Sequence, residues 1–315
     1  MTRSFRLSLA ATALAAAFAS TGAHAFSNAY FFGDSLSDTG NIYAATGFTT
    51  PGAPYFNGRF SDGPVWVEYL AAGIGHAGAS TASLLGGNNF AWGGARTAGG
   101  SIPSLLAQVG GFTGAIPAAD PNALYVVVAG GNDMRDARSG NPDLIDDVAI
   151  AATNNLKAAV GLLAAKGAKN VLLANLPDLG QTPEALGLGL VAVSTQATNE
   201  FNARIGGVVT HAQNLGMTVS FLDLAGLGNM IRNDALNNGG AVYGITNVFT
   251  PCGTFQGSFG ISCNVSQFSD ALHPSARAHA LVGAAAVAVV PEPATYGLMA
   301  LGLLAVGAVA RRRAS

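Results

Sequence analysis

Charge is scarce in this 315-residue chain: Asp, Glu, Lys and Arg together make up 10% of it. Residues 26–290 hold ten Lys+Arg against sixteen Asp+Glu, a net charge of −6, and no basic cluster. That excludes a polyanion-binding surface, so neither nucleic acid nor an anionic membrane face is expected as a partner. Cysteine occurs twice, as Cys252 and Cys263. Of the five histidines, His24 falls in the N-terminal 25 residues and His273 follows an acid by three residues, while His76, His211 and His279 share no metal-ligand spacing with cysteines or acids. No metal and no cofactor is therefore expected. There is no repeat of 20–50 residues, no long linker and no Gly-x-Ser-x-Gly elbow, which disfavours an ordinary α/β-hydrolase. Gly187-Leu188-Gly189-Leu190-Val191-Ala192 imitates a dinucleotide fingerprint, but it follows Pro183-Glu184 rather than a strand, so it carries no cofactor expectation.

What the chain has in abundance is apolar residues, 50% of the total, enough for a sizeable core. The two ends are the most apolar parts. Residues 1–25 carry Arg3 and Arg6, then a Leu/Ala run, then Ala23-His24-Ala25. This is the layout of a secretory signal peptide cut by signal peptidase. At the other end Pro291-Glu292-Pro293 precedes an apolar stretch over 295–310 and then Arg311-Arg312-Arg313. At about 1.5 Å per residue the stretch spans roughly 24 Å, close to a hydrocarbon core, and the arginines would stay cytoplasmic. In an exported chain Cys252 and Cys263 are expected to pair as a disulfide.

The interior alternates short apolar runs with longer helical patterns. Strands are expected at 29–32, 123–129, 170–175 and 217–222, and the short segment 88–92 could be a fifth. Helices are expected at 64–70, 143–166, 191–215 and 275–289. Residues 237–268, rich in Gly, Asn and Ser, read as a long ordered loop held by the cysteines. Strand–helix alternation of this kind implies an α/β fold, a three-layer α/β/α sandwich around a central parallel sheet. The expected domains are a signal peptide at 1–25, one catalytic domain at 26–290 and a sorting segment at 291–315.

In open α/β sheets ligands bind beyond the carboxyl ends of the strands. Two strands stop there in small polar residues, Gly33-Asp34-Ser35 and Gly131-Asn132-Asp133. A third element, Asp270-Ala271-Leu272-His273-Pro274, sets an acid and an imidazole three residues apart in a turn before a helix. A serine hydroxyl needs a base for its proton and donors for an oxyanion, and these elements supply both. The same strings are also ordinary turn compositions, so spacing alone leaves catalytic and structural readings open. Trp92, beside Gly93 and Gly94, fits a pocket wall and a core position equally well.

The string Phe32-Gly33-Asp34-Ser35-Leu36-Ser37-Asp38-Thr39-Gly40-Asn41 resembles the first block of the GDSL family of SGNH hydrolases. Asn89-Phe90-Ala91-Trp92-Gly93-Gly94-Ala95 resembles the second block, Gly130-Gly131-Asn132-Asp133 the third, and Asp270-Ala271-Leu272-His273-Pro274 the fifth. Gly58-Arg59-Phe60-Ser61-Asp62-Gly63 and Asn175-Leu176-Pro177-Asp178-Leu179-Gly180 are further strings of that family. The blocks stand in family order from Phe32 to His273. The resemblance implies a flavodoxin-like SGNH fold and an esterase or lipase acting on a lipid or an acylated small molecule or polysaccharide. It assigns Ser35 as nucleophile, His273 as general base and Asp270 as its orienting acid. It makes the oxyanion hole from Ser35 N–H, Gly94 N–H and the Asn132 amide, with adjacent Gly93 competing for the Gly94 role. An acyltransferase variant, or a catalytically silent matrix protein keeping the fold, stays open beside it. The C-terminal segment resembles the PEP-CTERM sorting signal, which implies an exosortase, a transient inner-membrane anchor and delivery to the surface or extracellular matrix of a Gram-negative bacterium.

Overall fold

The computed structural model of the chain describes residues 26–253, residues 260–290 and Arg311. The expected signal peptide and C-terminal apolar helix lie outside the described residues.

Four parallel strands form the sheet, in the order β1 (Ala29–Gly33), β2 (Leu124–Val128), β3 (Asn170–Ala174) and β4 (Thr218–Leu222). All four fall in the apolar runs read from sequence. β2 is buried along its whole length, as a central strand covered on both faces must be. Residues 88–92 run beside the free edge of β1: Phe31 N–H donates to Asn88 O at 3.1 Å, and Phe90 and Trp92 N–H donate to Phe31 O and Gly33 O at 2.7 and 3.1 Å. The segment forms only isolated bridges, Asn89 facing both Phe31 and Ala82, so it is a partial edge strand. Counting it second in chain order, the sheet reads 2-1-3-4-5, with its topological switch at β1, the place where such sheets bind ligands.

The helices are α1 (Asn41–Ala45), α2 (Trp66–Gly73), α3 (Leu105–Ala115), α4 (Gly131–Ser139), α5 (Ile145–Ala165), α6 (Pro183–Gly187), α7 (Val191–Asn214), α8 (Leu224–Asn238) and α9 (Ala276–Val289). Side chains alternate between the faces of the sheet. Phe32, Tyr125, Val127, Val171 and Leu173 join one core with residues of α3, α5 and α7. Phe31, Val126 and Leu172, the intervening buried residues, point to the opposite face. On that side α2 packs on α9, and α9 touches β4. The architecture is α/β, with helices on both faces of a parallel sheet.

Local chemistry sets the helix ends. Ser275 caps α9 by accepting Ala278 N–H at 3.1 Å, and Asp223 caps α8 by accepting Gly226 N–H at 2.8 Å. The pattern expected at 143–166 opens instead with a 3-10 turn over Pro142–Leu144; Asp146 and Asp147 then occupy the first turn of α5. Among the described residues, 142–165 is the one helical stretch long and apolar enough to cross a membrane, and it lies on the sheet with Leu156, Val160 and Leu163 fully buried. The region 237–268 is loop in most of its described part. It begins with the last two residues of α8 and contains a 3-10 turn at Cys263–Val265. Cys252 and Cys263 are joined, with Cα atoms 5.0 Å apart.

Candidate active site

Strand β1 delivers Ser35 two residues past its end. Gly33, its last residue, is held at both backbone groups by one side chain: its N–H donates to Gln108 Oε1 at 2.9 Å, and Gln108 Nε2 donates to its carbonyl at 2.8 Å. A Cβ at Gly33 would stand 2.4 Å from Val128 O, so only glycine lets β1 and β2 approach here. Asp34 is buried and accepts Leu36 N–H at 3.0 Å, closing the turn that carries Ser35. Burial lifts the Asp34 pKa to about 6, against the opposing effect of the Leu36 N–H and the nearby charge of His273.

The turn before α9 brings up the partners. His273 Nε2 lies 2.9 Å from Ser35 Oγ, and His273 Nδ1 lies 2.7 Å from Asp270 Oδ2. A neutral imidazole satisfies both contacts in one tautomer, with Nδ1–H donating to the carboxylate and Nε2 accepting from the serine hydroxyl. The other oxygen, Asp270 Oδ1, accepts Leu272 N–H at 2.7 Å and His273 N–H at 2.5 Å. Tyr55 O–H donates to Asp270 Oδ2 at 2.5 Å. Burial alone would raise the Asp270 pKa; the hydrogen bond and charge of His273, with the Tyr55 hydroxyl, outweigh it and bring the pKa down to about 2. Burial pushes the Tyr55 phenol up, and Asp270 pushes it further. The Phe60 ring lies 5.2 Å from the His273 ring, centroid to centroid.

The second sequence block is wired onto the first. Asn41 Nδ2 donates to Asn89 O and Ala91 O at 2.7 and 2.8 Å, and Asn89 Nδ2 returns a bond to Ser37 O at 2.6 Å. Asp38, fully buried, accepts Gly40 and Asn41 N–H and, at 2.8 Å, Gly93 N–H. That last bond separates the two competing glycines. The Gly93 amide is spent on Asp38, whereas the Gly94 amide has no hydrogen-bond acceptor among the described residues, and neither has Ser35 N–H. Gly94 sits at φ 78°, in the left-handed region that favours glycine.

The third block stands at the start of α4. Asn132 Nδ2 donates one hydrogen to Ala95 O at 2.9 Å, which fixes the amide and leaves its second hydrogen unspent. Asp133 accepts Thr97 N–H and O–H, the latter at 2.7 Å, so the 94–97 turn is tied to α4 at two points.

Ser35, Asn132 and His273 wall a common cavity, and Gly94 is not part of its lining. The walls come mainly from apolar residues, including Leu176, Leu224, Leu227 and Phe268. Trp66 lines this cavity; Trp92 does not, and instead borders a shallow depression with Tyr30, Phe90 and Phe112. The pocket-wall reading of Trp92 is thereby corrected: its segment runs along the outer edge of β1, and its side chain leans on the α3 side. Sequence reasoning missed Tyr55, Gln108 and Trp66, which lie outside the motif blocks and meet the site only through the fold.

The fold and this arrangement define an α/β protein with a serine, a histidine and an aspartate in one line of contacts at the switch point of its sheet. Residues 30–286 match the model of the GDSL-like Lipase/Acylhydrolase family, and the chain belongs to that family. Residues 289–313 match the PEP-CTERM protein-sorting motif. The chain is 32% identical over 184 residues to a phosphatidylcholine-sterol acyltransferase of Aeromonas hydrophila, covering 56% of this chain and 52% of that one. It is 31% identical over 203 residues to Lipase 1 of Photorhabdus luminescens, covering 60% of this chain and 28% of that one. It therefore spans about half or less of the length of these curated relatives. The aryl esterase structure from M. Smegmatis aligns over 84% of this chain and 99% of its own, with 17% identity and a TM-score of 0.44.

Proposed function

We propose that this chain is an exported hydrolase of carboxylic esters, with Ser35 as nucleophile. The observation that carries the reading is the unbroken line of contacts from Ser35 Oγ through His273 to Asp270 Oδ2, at 2.9 and 2.7 Å. Ser35 Oγ adds to the ester carbonyl as His273 Nε2 takes its proton. Asp270 holds the ring in the tautomer that leaves Nε2 free and steadies the imidazolium that forms. Charge then develops on the former carbonyl oxygen, where the Ser35 and Gly94 amides and the second Asn132 hydrogen are free to donate. Collapse breaks the C–O bond, and His273 returns the proton to the departing alcohol. Water repeats the sequence on the acyl-Ser35 ester, releasing the acid and restoring the serine. The apolar cavity beside Ser35 favours esters with an apolar portion over small polar acyl groups.

Acyl transfer, in which an alcohol replaces water in the second half, is a second reading, favoured by the similarity to the phosphatidylcholine-sterol acyltransferase of Aeromonas hydrophila. A silent matrix protein has no need of an aligned relay. A panel of p-nitrophenyl esters, with and without an acceptor alcohol, tests these readings on the wild type and Ser35→Ala. Hydrolysis lost in Ser35→Ala supports the proposal; equal turnover in both proteins contradicts it.

The sorting motif supports export, insertion through the 295–310 stretch, and exosortase cleavage near Pro291-Glu292-Pro293 after signal peptidase has removed residues 1–25. Mass spectrometry of surface or matrix protein is expected to find neither residues 1–25 nor Arg311–Arg313. Retention of the arginines would contradict the sorting route and leave the hydrolase reading standing.

A further inference from the structure

Glu184 is bound through its backbone to one half of the site and through its carboxylate to the other. Its N–H is one of the first amides of α6, which have no partner inside the helix. It donates instead to Ala271 O at 2.7 Å, inside the turn that carries Asp270 and His273. The Glu184 carboxylate accepts from two arginines of α4, the helix that carries Asn132. Arg135 Nε donates to Oε2 at 2.9 Å and Arg135 Nη2 donates to Oε1, while Arg138 Nη2 donates to Oε2. Glu184 itself is neither in the Ser35–His273–Asp270 line nor an oxyanion donor.

Helix geometry places the two arginines. Arg135 and Arg138 follow Asn132 at successive i, i+3 spacings, so each stands close to one turn beyond the last. The Arg138 side chain is 1% exposed, and its Nη1 donates to Ser194 Oγ at 2.7 Å near the start of α7. A guanidinium buried in this way needs a counter-ion, and Glu184 supplies it. The hydrogen bond from Arg135, aided by the charges of both arginines, pulls the Glu184 pKa below its ordinary value against the effect of burial, so the carboxylate stays ionised.

These bonds set the two halves of the site against each other. On one side α4 is tied to the turn that holds Gly94, since Asn132 Nδ2 donates to Ala95 O and Asp133 accepts from Thr97. Among the described residues no hydrogen bond runs directly from α4 to Asp270–His273, and Glu184 makes the connection on that side. The acid–base turn has other anchors: Ser61 O–H donates to Pro274 O at 2.9 Å, and Ser269 N–H donates to His273 O at 2.9 Å. Loss of the Glu184 carboxylate would therefore let α4 shift, and Asn132 with it, against a turn that stays in place. A misplacement of about 1 Å in a catalytic group can cost about 100-fold in rate.

We propose that Glu184 is a positioning residue for ester hydrolysis, holding the Asn132 amide of α4 in register with the His273 turn. The proposal rests on the ester-hydrolase reading of Ser35 and adds to it a residue that touches no reacting atom.

The test is a kinetic cycle of Glu184→Gln, Asn132→Ala and the double variant, with kcat and KM measured on one p-nitrophenyl ester and the thermal unfolding midpoint measured for each protein. Glu184→Gln keeps the size of the side chain and removes its charge. It is expected to lower kcat by about 10-fold or more with KM little changed, because Asn132 acts on the developing oxyanion. In the Asn132→Ala background the same substitution is expected to cost less than about 3-fold, since the donor it positions is already gone. A residue that served stability alone would cost the same factor in both backgrounds. Equal factors, or an unchanged kcat in Glu184→Gln, overturn the proposal. Glu184→Gln also strands the Arg138 charge, which can unfold the variant. Glu184→Gln combined with Arg138→Met removes both charges, and is expected to fold and to keep the low kcat. Wild-type kcat in that protein, or failure of both variants to fold, overturns the proposal. Wild-type protein that neither turns over the ester nor reacts with a fluorophosphonate at Ser35 overturns the hydrolase reading and this proposal with it.

Discussion

Tyr55 and Asp270, 215 residues apart in the chain, are joined by a 2.5 Å hydrogen bond to the same carboxylate oxygen that His273 Nδ1 contacts. The carboxylate thus has four donors: Tyr55 O–H, His273 Nδ1–H and two backbone amides. This explains how a largely buried acid stays ionised. Its folded pKa of about 2 lies below the ordinary 3.8, so Asp270 stabilises the fold above pH 4 and loses that contribution as pH falls from about 4 to 2. The contribution is about 2 kcal/mol. Tyr55→Phe removes one donor and raises the Asp270 pKa, so acid unfolding is expected to begin at higher pH. With one donor fewer on the carboxylate, kcat is expected to fall several-fold. An acid-unfolding midpoint and a kcat both unchanged in the folded variant would show that the phenol only fills space.

Asn132→Ala is expected to lower kcat by about 10²–10³-fold with little change in KM. Its amide is held ready by Ala95 O, and its second hydrogen meets charge only as the oxyanion forms. An effect confined to KM would make Asn132 a binder of the ground state.

Reduction of Cys252–Cys263 is expected to weaken catalysis before it unfolds the domain. Cys252 N–H donates to Phe268 O, and Ser269 N–H donates to His273 O, so the bridge is two short links from the acid–base turn. Intact-mass analysis with and without reductant, run beside an activity assay and circular dichroism, checks this. Full activity after complete reduction would place the bridge outside the working of the site.

Much of the fold was legible because β1–β3 are apolar runs stopped by Gly, Asn or Pro, and β4 is a short β-branched and aromatic run stopped by Asp223; such runs have few alternatives in an α/β chain. Helices α3 and α8 were not. Gly110, Gly111 and Gly114 in one, and Gly226 and Gly228 in the other, each cost about 1 kcal/mol of helix propensity, and the deficit is made up by packing that the sequence does not display. In α3 that packing is Leu105, Val109 and Phe112 in the main core. The Ser35–His273–Asp270 cluster was readable because each member sits in a short local motif. The choice between Gly93 and Gly94 was not, because it turns on Asp38, more than fifty residues away. Tyr55 and Trp66 were illegible for the same reason: each meets its partner, Asp270 or Ser37, only through the fold.

The central claim is that Ser35 is an activated nucleophile. Treating the folded protein with a fluorophosphonate probe and mapping the adduct by peptide mass spectrometry tests it most directly, because only a serine whose proton is taken by a base reacts readily. The account predicts one adduct per chain, located on Ser35, absent in Ser35→Ala and strongly slowed in His273→Ala. No adduct, or an adduct on a different serine that persists in Ser35→Ala, would contradict it.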